Sequence, residues 1–451
     1  MAVTADELGT QDIKKLLIKQ AVPSSIGILF MSVNILIDTI FVGQWIGTLA
    51  IAAVTVVLPI TFLISSLGMA IGVGGGSVLS RALGANHKEK ALHTFGNQIM
   101  MTFLLASVFV LFGLFFSEEM LMLFGAKGVI MEPAKEFFFP IIISVPFLAL
   151  CMMGNNVIRA EGKAKFAMVA MIIPAFINIL LDIIFIKYMD LGMFGAALAT
   201  AISYFTCFLF VFWFFYFKSE LKLKARHFKF NIPIVKEITE LSFVTFSRQG
   251  VVSILAIILN HTLYTYGGEH SVAIYGIISR MLMFALFPIL GITQGFLPIA
   301  GFNYGAGNYE RVKESVLLSI KYSIFLATVI FVVILIFAKP IVAIFTTDPL
   351  VIAQTPEALR YVFAASPIIA VQLIGAAYFQ AAGKAKKALL LTLSKQGFFL
   401  IPLVLILPNF LGIFGVWIAF PIADILSTLL TGYFLKKEMN TKLIQTNDGI
   451  L

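Results

Sequence analysis

Arg159-Ala-Glu-Gly-Lys-Ala-Lys165 returns as Gln380-Ala-Ala-Gly-Lys-Ala-Lys386, 221 residues further along the chain. Each copy lies between two long apolar runs, 137–157 and 166–186 for the first, 358–380 and 388–407 for the second. Two other loops repeat in the same way. Leu83-Gly-Ala-Asn-His-Lys-Glu-Lys90 returns as Tyr304-Gly-Ala-Gly-Asn-Tyr-Glu-Arg311, again 221 on, and Leu191-Gly-Met-Phe-Gly195 returns as Leu411-Gly-Ile-Phe-Gly415, 220 on. Matches in three different loops at offsets of 220 or 221 mark an internal duplication.

The repeating unit is a set of membrane spans. Apolar residues make up 60% of the 451, and charged residues only 12%. An apolar run of about 20 residues is enough to cross the hydrocarbon of a bilayer. Such runs occupy 17–41, 53–79, 95–116, 137–157, 166–186, 192–216, 238–264, 271–299, 317–338, 358–380, 388–407 and 413–435. The expected fold is an all-α membrane protein of twelve transmembrane helices in two six-helix lobes. The lobes are 1–216 and 238–451, joined by a cytoplasmic linker at 217–237, and because six is even the repeat is parallel. Transporters commonly carry repeats of this kind, with the substrate site between the halves.

Basic residues set the orientation. One side of the membrane collects Lys14, Lys15, Lys19, Arg81, Lys88, Lys90, Arg159, Lys163 and Lys165, followed by the six of the 217–237 connection. Arg311, Lys313, Lys384, Lys386, Lys387, Lys436, Lys437 and Lys442 complete that side. The opposite loops hold Lys127, Lys135, Lys187, Lys339 and Arg360. By the positive-inside rule both termini are cytoplasmic. The net charge of +9 is thereby an orientation signal and not a nucleic-acid footprint. Cys151 and Cys207 both fall inside predicted spans and imply no disulfide framework.

Within the fifth run, Ala175-Phe-Ile-Asn-Ile-Leu-Leu-Asp-Ile-Ile-Phe-Ile186 places Asn178 and Asp182 four residues apart, on one helix face. A carboxylate at that depth costs at least roughly 2.5–3.5 kcal/mol, so an intramembrane acid is by default a functional site. A second such acid is Asp38 in the first run, with Asn34 one turn before it, and Thr200 enters the sixth run at similar depth. At 1.5 Å per residue all lie roughly 6–12 Å from the external end of their spans.

The duplication supplies a control. Carried to the second copy, Asp38 becomes Leu259, Asn178 becomes Phe399, Asp182 becomes Leu403 and Thr200 becomes Phe420. Polar groups that only held the fold together would be wanted twice. Two carboxylates in an apolar surround resist being ionised together. Such a site holds a proton or, with the oxygens of Asn178 and Thr200, a hard Na⁺. Pro23 and Pro174 each delete a helical hydrogen bond and are candidate hinges. In the second lobe Arg248, Arg280, Lys395 and Asp424 sit near membrane depth as a charge network, Asp424 being placed to neutralise one of the cations.

Asp38-Thr-Ile-Phe-Val-Gly43, Pro174-Ala-Phe-Ile-Asn-Ile-Leu-Leu-Asp182, Gly195-Ala-Ala-Leu-Ala-Thr200 and Gly301-Phe-Asn-Tyr-Gly-Ala306 resemble the MATE multidrug and toxin extruders, in their DinF- and MepA-like branch. The resemblance spans all twelve runs. It implies a V-shaped molecule with a central cleft that exports lipophilic, mostly cationic compounds in exchange for H⁺ or Na⁺. It also places the ion site at the residues matching Asp38, Asn178, Asp182 and Thr200, and puts Pro23 where a proline bends the first span. NorM-like members add acids in spans seven, eight and ten. Here Glu240 stands at the entrance to span seven and the other two hold none.

Other signals point to packing. Gly72-Val-Gly-Gly-Gly76 lacks the Gly-Lys-Ser/Thr of a phosphate loop and reads as small residues for close helix contact. His87, His93, His227, His261 and His270 show no ligand spacing, so no metal is expected other than Na⁺ at the Asp38/Asp182 site. The 217–237 run reads as a solvated linker, and secondly as an anionic-lipid contact. No nucleophile–base motif or nucleotide-binding module appears, so no enzyme is expected; the resemblance implies a monomeric, cofactor-free antiporter in a prokaryotic plasma membrane. A lipid-linked oligosaccharide flippase of the same superfold is the alternative, which the second-lobe cations favour and the absence of extra spans opposes.

Overall fold

The computed structural model describes residues 5–346 and 348–447, and it contains helices and no strand among them. The side chain of Lys442, counted above with the basic residues, lies outside the described set. Among the described residues, eleven helices are long and apolar enough to cross a membrane. The longest, Ile232–Gly305, breaks at Gly268, where φ 65° and ψ −165° leave helical space. It therefore holds two spans, 232–267 and 269–305, and the twelve expected spans are present. The first six are Ile13–Trp45, Thr48–Gly84, Lys88–Phe115, Met131–Ala160, Ala164–Asp182 and Gly192–Phe217. The ninth is Tyr309–Phe345, the tenth is Pro349–Phe363 with Ile369–Ala381, the eleventh begins at Ala385 and the twelfth is Ile413–Asn447.

The duplication is visible in the backbone. Gly162 and Gly383, 221 residues apart, both turn at positive φ, 80° and 76°. Gly47, at the bend between spans one and two, has its counterpart in Gly268. Side-chain packing repeats too. A Cβ on Gly154 would come within 2.5 Å of Val211 Cγ1, and one on Gly375 within 2.3 Å of Thr431 Cγ2. These are equivalent positions, so in each lobe the fourth span meets the sixth across a bare glycine.

Two compact units result. One comprises the chain up to Leu8 with Val22–Thr245, the other Gly9–Ala21 with everything from Phe246 onward. In the first unit the glycine run of span two does what small residues are for. A Cβ on Gly68 would fall 2.5 Å from Ala149 O, and one on Gly75 2.2 Å from Gln98 Cδ. In the second unit a Cβ on Gly295 would fall 2.6 Å from Ala21 N, so the first turns of span one are seated there.

The basic 217–237 connection differs from the solvated linker that its charge suggests. Leu221 and His227 are buried, and Ala225–Phe228 forms a 3₁₀ turn. Asn97 anchors it from both sides of its amide: Nδ2 donates to Lys229 O at 3.2 Å and Oδ1 accepts from Asn231 N at 3.0 Å. Gly96 leaves room for the connection, since a Cβ there would meet His227 O at 2.2 Å. Interspersed apolar residues and backbone groups in need of partners hold it on the first unit.

Candidate ion-coupling site

The residues singled out in spans one, five and six converge inside the first unit. Asn34 Nδ2 donates to Asn178 Oδ1 at 2.9 Å and lies 3.3 Å from Ala175 O. Asn178 Nδ2 donates in turn to Thr200 Oγ1 at 3.4 Å, and that hydroxyl donates to Ala196 O at 3.1 Å. This relay ties three spans together at one depth. One turn beyond Asn34 and Asn178 stand Asp38 and Asp182, whose carboxyl groups lie against each other. Asp182 is fully buried, and neither of its oxygens, nor Asp38 Oδ1, receives a hydrogen bond from any described donor.

Local structure explains how Asp182 is presented. The α-helix of span five ends at Asp182 and continues as a π-helix over Ile183–Tyr188. A π turn widens the helix and is frequent where a side chain must be held for function. Pro174, eight residues earlier, cannot bond the Ala170 carbonyl, and Cys207 Sγ approaches that oxygen at 3.2 Å instead. Pro23 is buried in span one, two residues past the point where the chain passes from one unit to the other.

Tyr204 was not among the residues read from the sequence, yet it sits near Asp38. It lies one turn beyond Thr200 on the same face of span six, and that spacing alone would have found it.

In the second unit the four equivalent positions also meet, with the opposite chemistry. Leu259, Phe399, Leu403 and Phe420 all belong to one apolar cluster. Lys395, on a second π-helix at Ser394–Leu400, pairs with buried Asp424 at 2.6 Å. Arg248 and Arg280 make no ion pair or hydrogen bond with any described residue, so the four do not form one network.

The histidines hold a surprise. Glu89 and His93, four apart on span three, come together with His227 of the connection, their ligand atoms all within 4.8 Å. His227 Nδ1 accepts the Lys224 N–H at 2.9 Å, and its Nε2 lies between Arg226 Nε at 3.2 Å and Glu89 Oε2 at 3.3 Å. Arg226 donates to Glu89 at 2.7 Å. A guanidinium inside the cluster opposes a bound cation, and its ion pair with Glu89 clamps the connection to span three.

A twelve-span helical bundle with buried acids facing each other at the junction of three spans defines a polytopic membrane transport protein. The MatE family model matches residues 23–184 and 247–406, one stretch per lobe. The chain belongs to the MatE family. The multidrug export protein MepA of Staphylococcus haemolyticus is 27% identical over 421 residues, covering 93% of this chain and 92% of that one. A FAD transporter of Shewanella oneidensis is 24% identical over 432 residues, covering 94% and 95%. The crystal structure of a MATE in the bent conformation superposes with a TM-score of 0.93 at 26% identity, covering 99% of this chain and all of that one.

Proposed function

We propose that the chain is a multidrug antiporter, exporting lipophilic and mostly cationic compounds in exchange for H⁺ or Na⁺ by alternating access. The observation that carries this reading is the contact between Asp38 and Asp182, with three carboxyl oxygens left without a donor among the described residues. Two carboxylates so placed repel each other unless a proton or a small cation is shared between them. Uptake of that cation from outside neutralises the pair, and a membrane potential drives it inward with roughly 2.3 kcal/mol per charge per 100 mV. Asn34, Asn178 and Thr200 position the acids, and their relay links the cation's arrival to spans one, five and six together. Pro23 serves as hinge because the turns before it, through Ala21, belong to the other unit. The basic loops support a reading with both termini cytoplasmic, and we read the protein as a monomer in a prokaryotic plasma membrane. The relatives named for multidrug export support the choice of substrate.

Ethidium efflux from an efflux-deficient cell tests the proposal, with wild type beside Asp38→Asn and Asp182→Asn. Wild type should extrude dye only while an ion gradient stands, and both variants should fail. Efflux that survives both substitutions would remove the mechanism, and imposing a proton or a sodium gradient separately assigns the ion.

A second reading is export of an anionic, flavin-nucleotide-like compound. Arg248 and Arg280 have no counter-charge among the described residues, and one relative is named a FAD transporter. Loss of flavin export, but not of ethidium export, in Arg248→Ala and Arg280→Ala would favour it. The pairing of Lys395 with Asp424 withdraws one of the cations that favoured an oligosaccharide-lipid substrate.

A further inference from the structure

A cavity of about 810 Å³ lies wholly within the first unit, far larger than packing requires and within the roughly 300–1,000 Å³ of small-molecule sites. Spans three and six form its sides and span four its floor, at Leu150, Met153 and Gly154. The side walls are aromatic. Phe95 and Phe215 touch at a ring separation of 4.4 Å, and Phe103, Phe212 and Tyr216 at its edge are each more than half exposed. Along the helices the lining runs from Phe95 to Phe103 and from Phe208 to Tyr216, about 12 Å in each case.

One end is closed by the basic connection, through Leu221, Leu223, Phe228 and Lys222. Among the described residues Lys222 is the sole ionisable cation that lines the cavity, and no carboxylate does. Its ammonium donates to Tyr216 O at 2.6 Å, at the carbonyl end of span six, which uses one of its three N–H groups. The nearby acids are already engaged: Lys163 lies 3.7 Å from Glu161 and 3.5 Å from Glu220. Lys218 and Lys224 flank the same end without a carboxylate partner among the described residues.

We propose that this groove is a binding site for an anionic glycerophospholipid, with an acyl chain along the aromatic walls and the headgroup on Lys222. The proposal goes beyond the transport reading and does not depend on the acids of spans one and five. The charge decides the occupant. An organic cation entering the groove finds no counter-charge and meets an ammonium at its end, whereas a phosphate meets two unused N–H donors. The same end faces the side of the membrane to which the basic loops point, where anionic lipid is concentrated. Because the connection forms part of the wall, a lipid seated there fastens it to the first unit, which gives the lipid contact suggested by its charge a defined place in the fold.

The test reads the groove directly. In a Trp45→Phe, Trp213→Phe, Trp417→Phe background, Phe212→Trp places a single fluorophore in the wall, and Phe325→Trp places one on an exposed face of the ninth span as a control. Each purified protein is titrated in detergent with brominated phosphatidylglycerol and, separately, brominated phosphatidylcholine. The groove reporter should be quenched at a lower mole fraction of phosphatidylglycerol than of phosphatidylcholine, while the control shows no preference. Lys222→Ala should weaken the phosphatidylglycerol effect about fivefold, the usual weight of one lysine beside an anionic surface. Equal quenching by the two lipids at the groove, or a preference that survives Lys222→Ala, would reduce the cavity to ordinary lipid contact and overturn the proposal.

Discussion

Asn34 of the first span and Asn178 of the fifth are joined by a 2.9 Å hydrogen bond, 144 residues apart in sequence. The bond lies one helical turn from the point where Asp38 meets Asp182, so it fixes the register of the two spans that carry the acids. Asn178 passes the connection on to Thr200 of the sixth span. Replacing Asn34 by leucine removes the donor and leaves Asn178 Oδ1 buried without a partner, at a cost of about 1–3 kcal/mol. We expect dye efflux to fall severalfold with protein still present in the membrane, and Asn34→Gln to recover less than wild type. Unchanged efflux in Asn34→Leu would separate the relay from coupling.

The two lobes predict opposite responses to exchanging their residues. Asp182→Leu installs what the second lobe has at Leu403, and removes a buried acid without a donor. The thermal midpoint in detergent should rise while gradient-driven efflux is lost. Leu403→Asp puts an unpaired carboxyl into the apolar cluster around Leu259 and Phe420, and the midpoint should fall by several degrees or the protein fail to accumulate.

The Gly375–Thr431 contact sets a steric prediction. An alanine at 375 brings a methyl group to 2.3 Å from Thr431 Cγ2, too close without movement of a helix. Overpacking of this kind costs about 1–3 kcal/mol. Gly375→Ala should lower the thermal midpoint, and adding Thr431→Ser, which deletes the opposing methyl, should restore most of the loss.

Outside the spans, Glu161 gives a pH dependence. It sits in the turn between spans four and five, where burial pushes its carboxyl up to about 7, against the smaller opposing pulls of the Ser219 hydroxyl at 2.5 Å and of Lys163. The folded protein therefore keeps a proton that the unfolded chain has released above an ordinary value near 4.5. Stability is greatest below that value, declines as pH rises towards 7, and is level beyond, by up to about 3 kcal/mol. Glu161→Gln should flatten the fall in thermal midpoint between pH 5 and 7, and an unaltered slope would assign it to another group.

Much of this was legible from the chain. The repeat, the twelve spans and the depth of Asp38, Asn178, Asp182 and Thr200 follow from counting, because hydrophobic run length and helical rise translate directly into position across a bilayer. Spans seven and eight, separate runs at 238–264 and 271–299 in the sequence, are nearly continuous in the structure, and the φ of Gly268 marks the break between them. Tyr204 was missed because a tyrosine in an aromatic-rich span carries no charge to mark it. His93 and His227 looked scattered because they meet only through the folding of the connection onto span three. That connection looked solvated because its lysines outnumber Leu221, Leu223 and Phe228, which are the residues that pack.

The amino-acid sequence by itself determined that this is a duplicated membrane bundle with acids in one copy and leucines in the other, since burial of charge in lipid is costly wherever the neighbours lie. Tertiary structure alone decided which groups face each other: the two carboxyls in contact, Lys395 paired with Asp424, Arg248 left without a partner among the described residues, and a groove walled by phenylalanine. Depth is a property of one helix and is written along it. Lateral contact depends on how helices rotate and lean against their neighbours, and that is set by glycines and side chains distant in sequence, such as Gly154 against Val211.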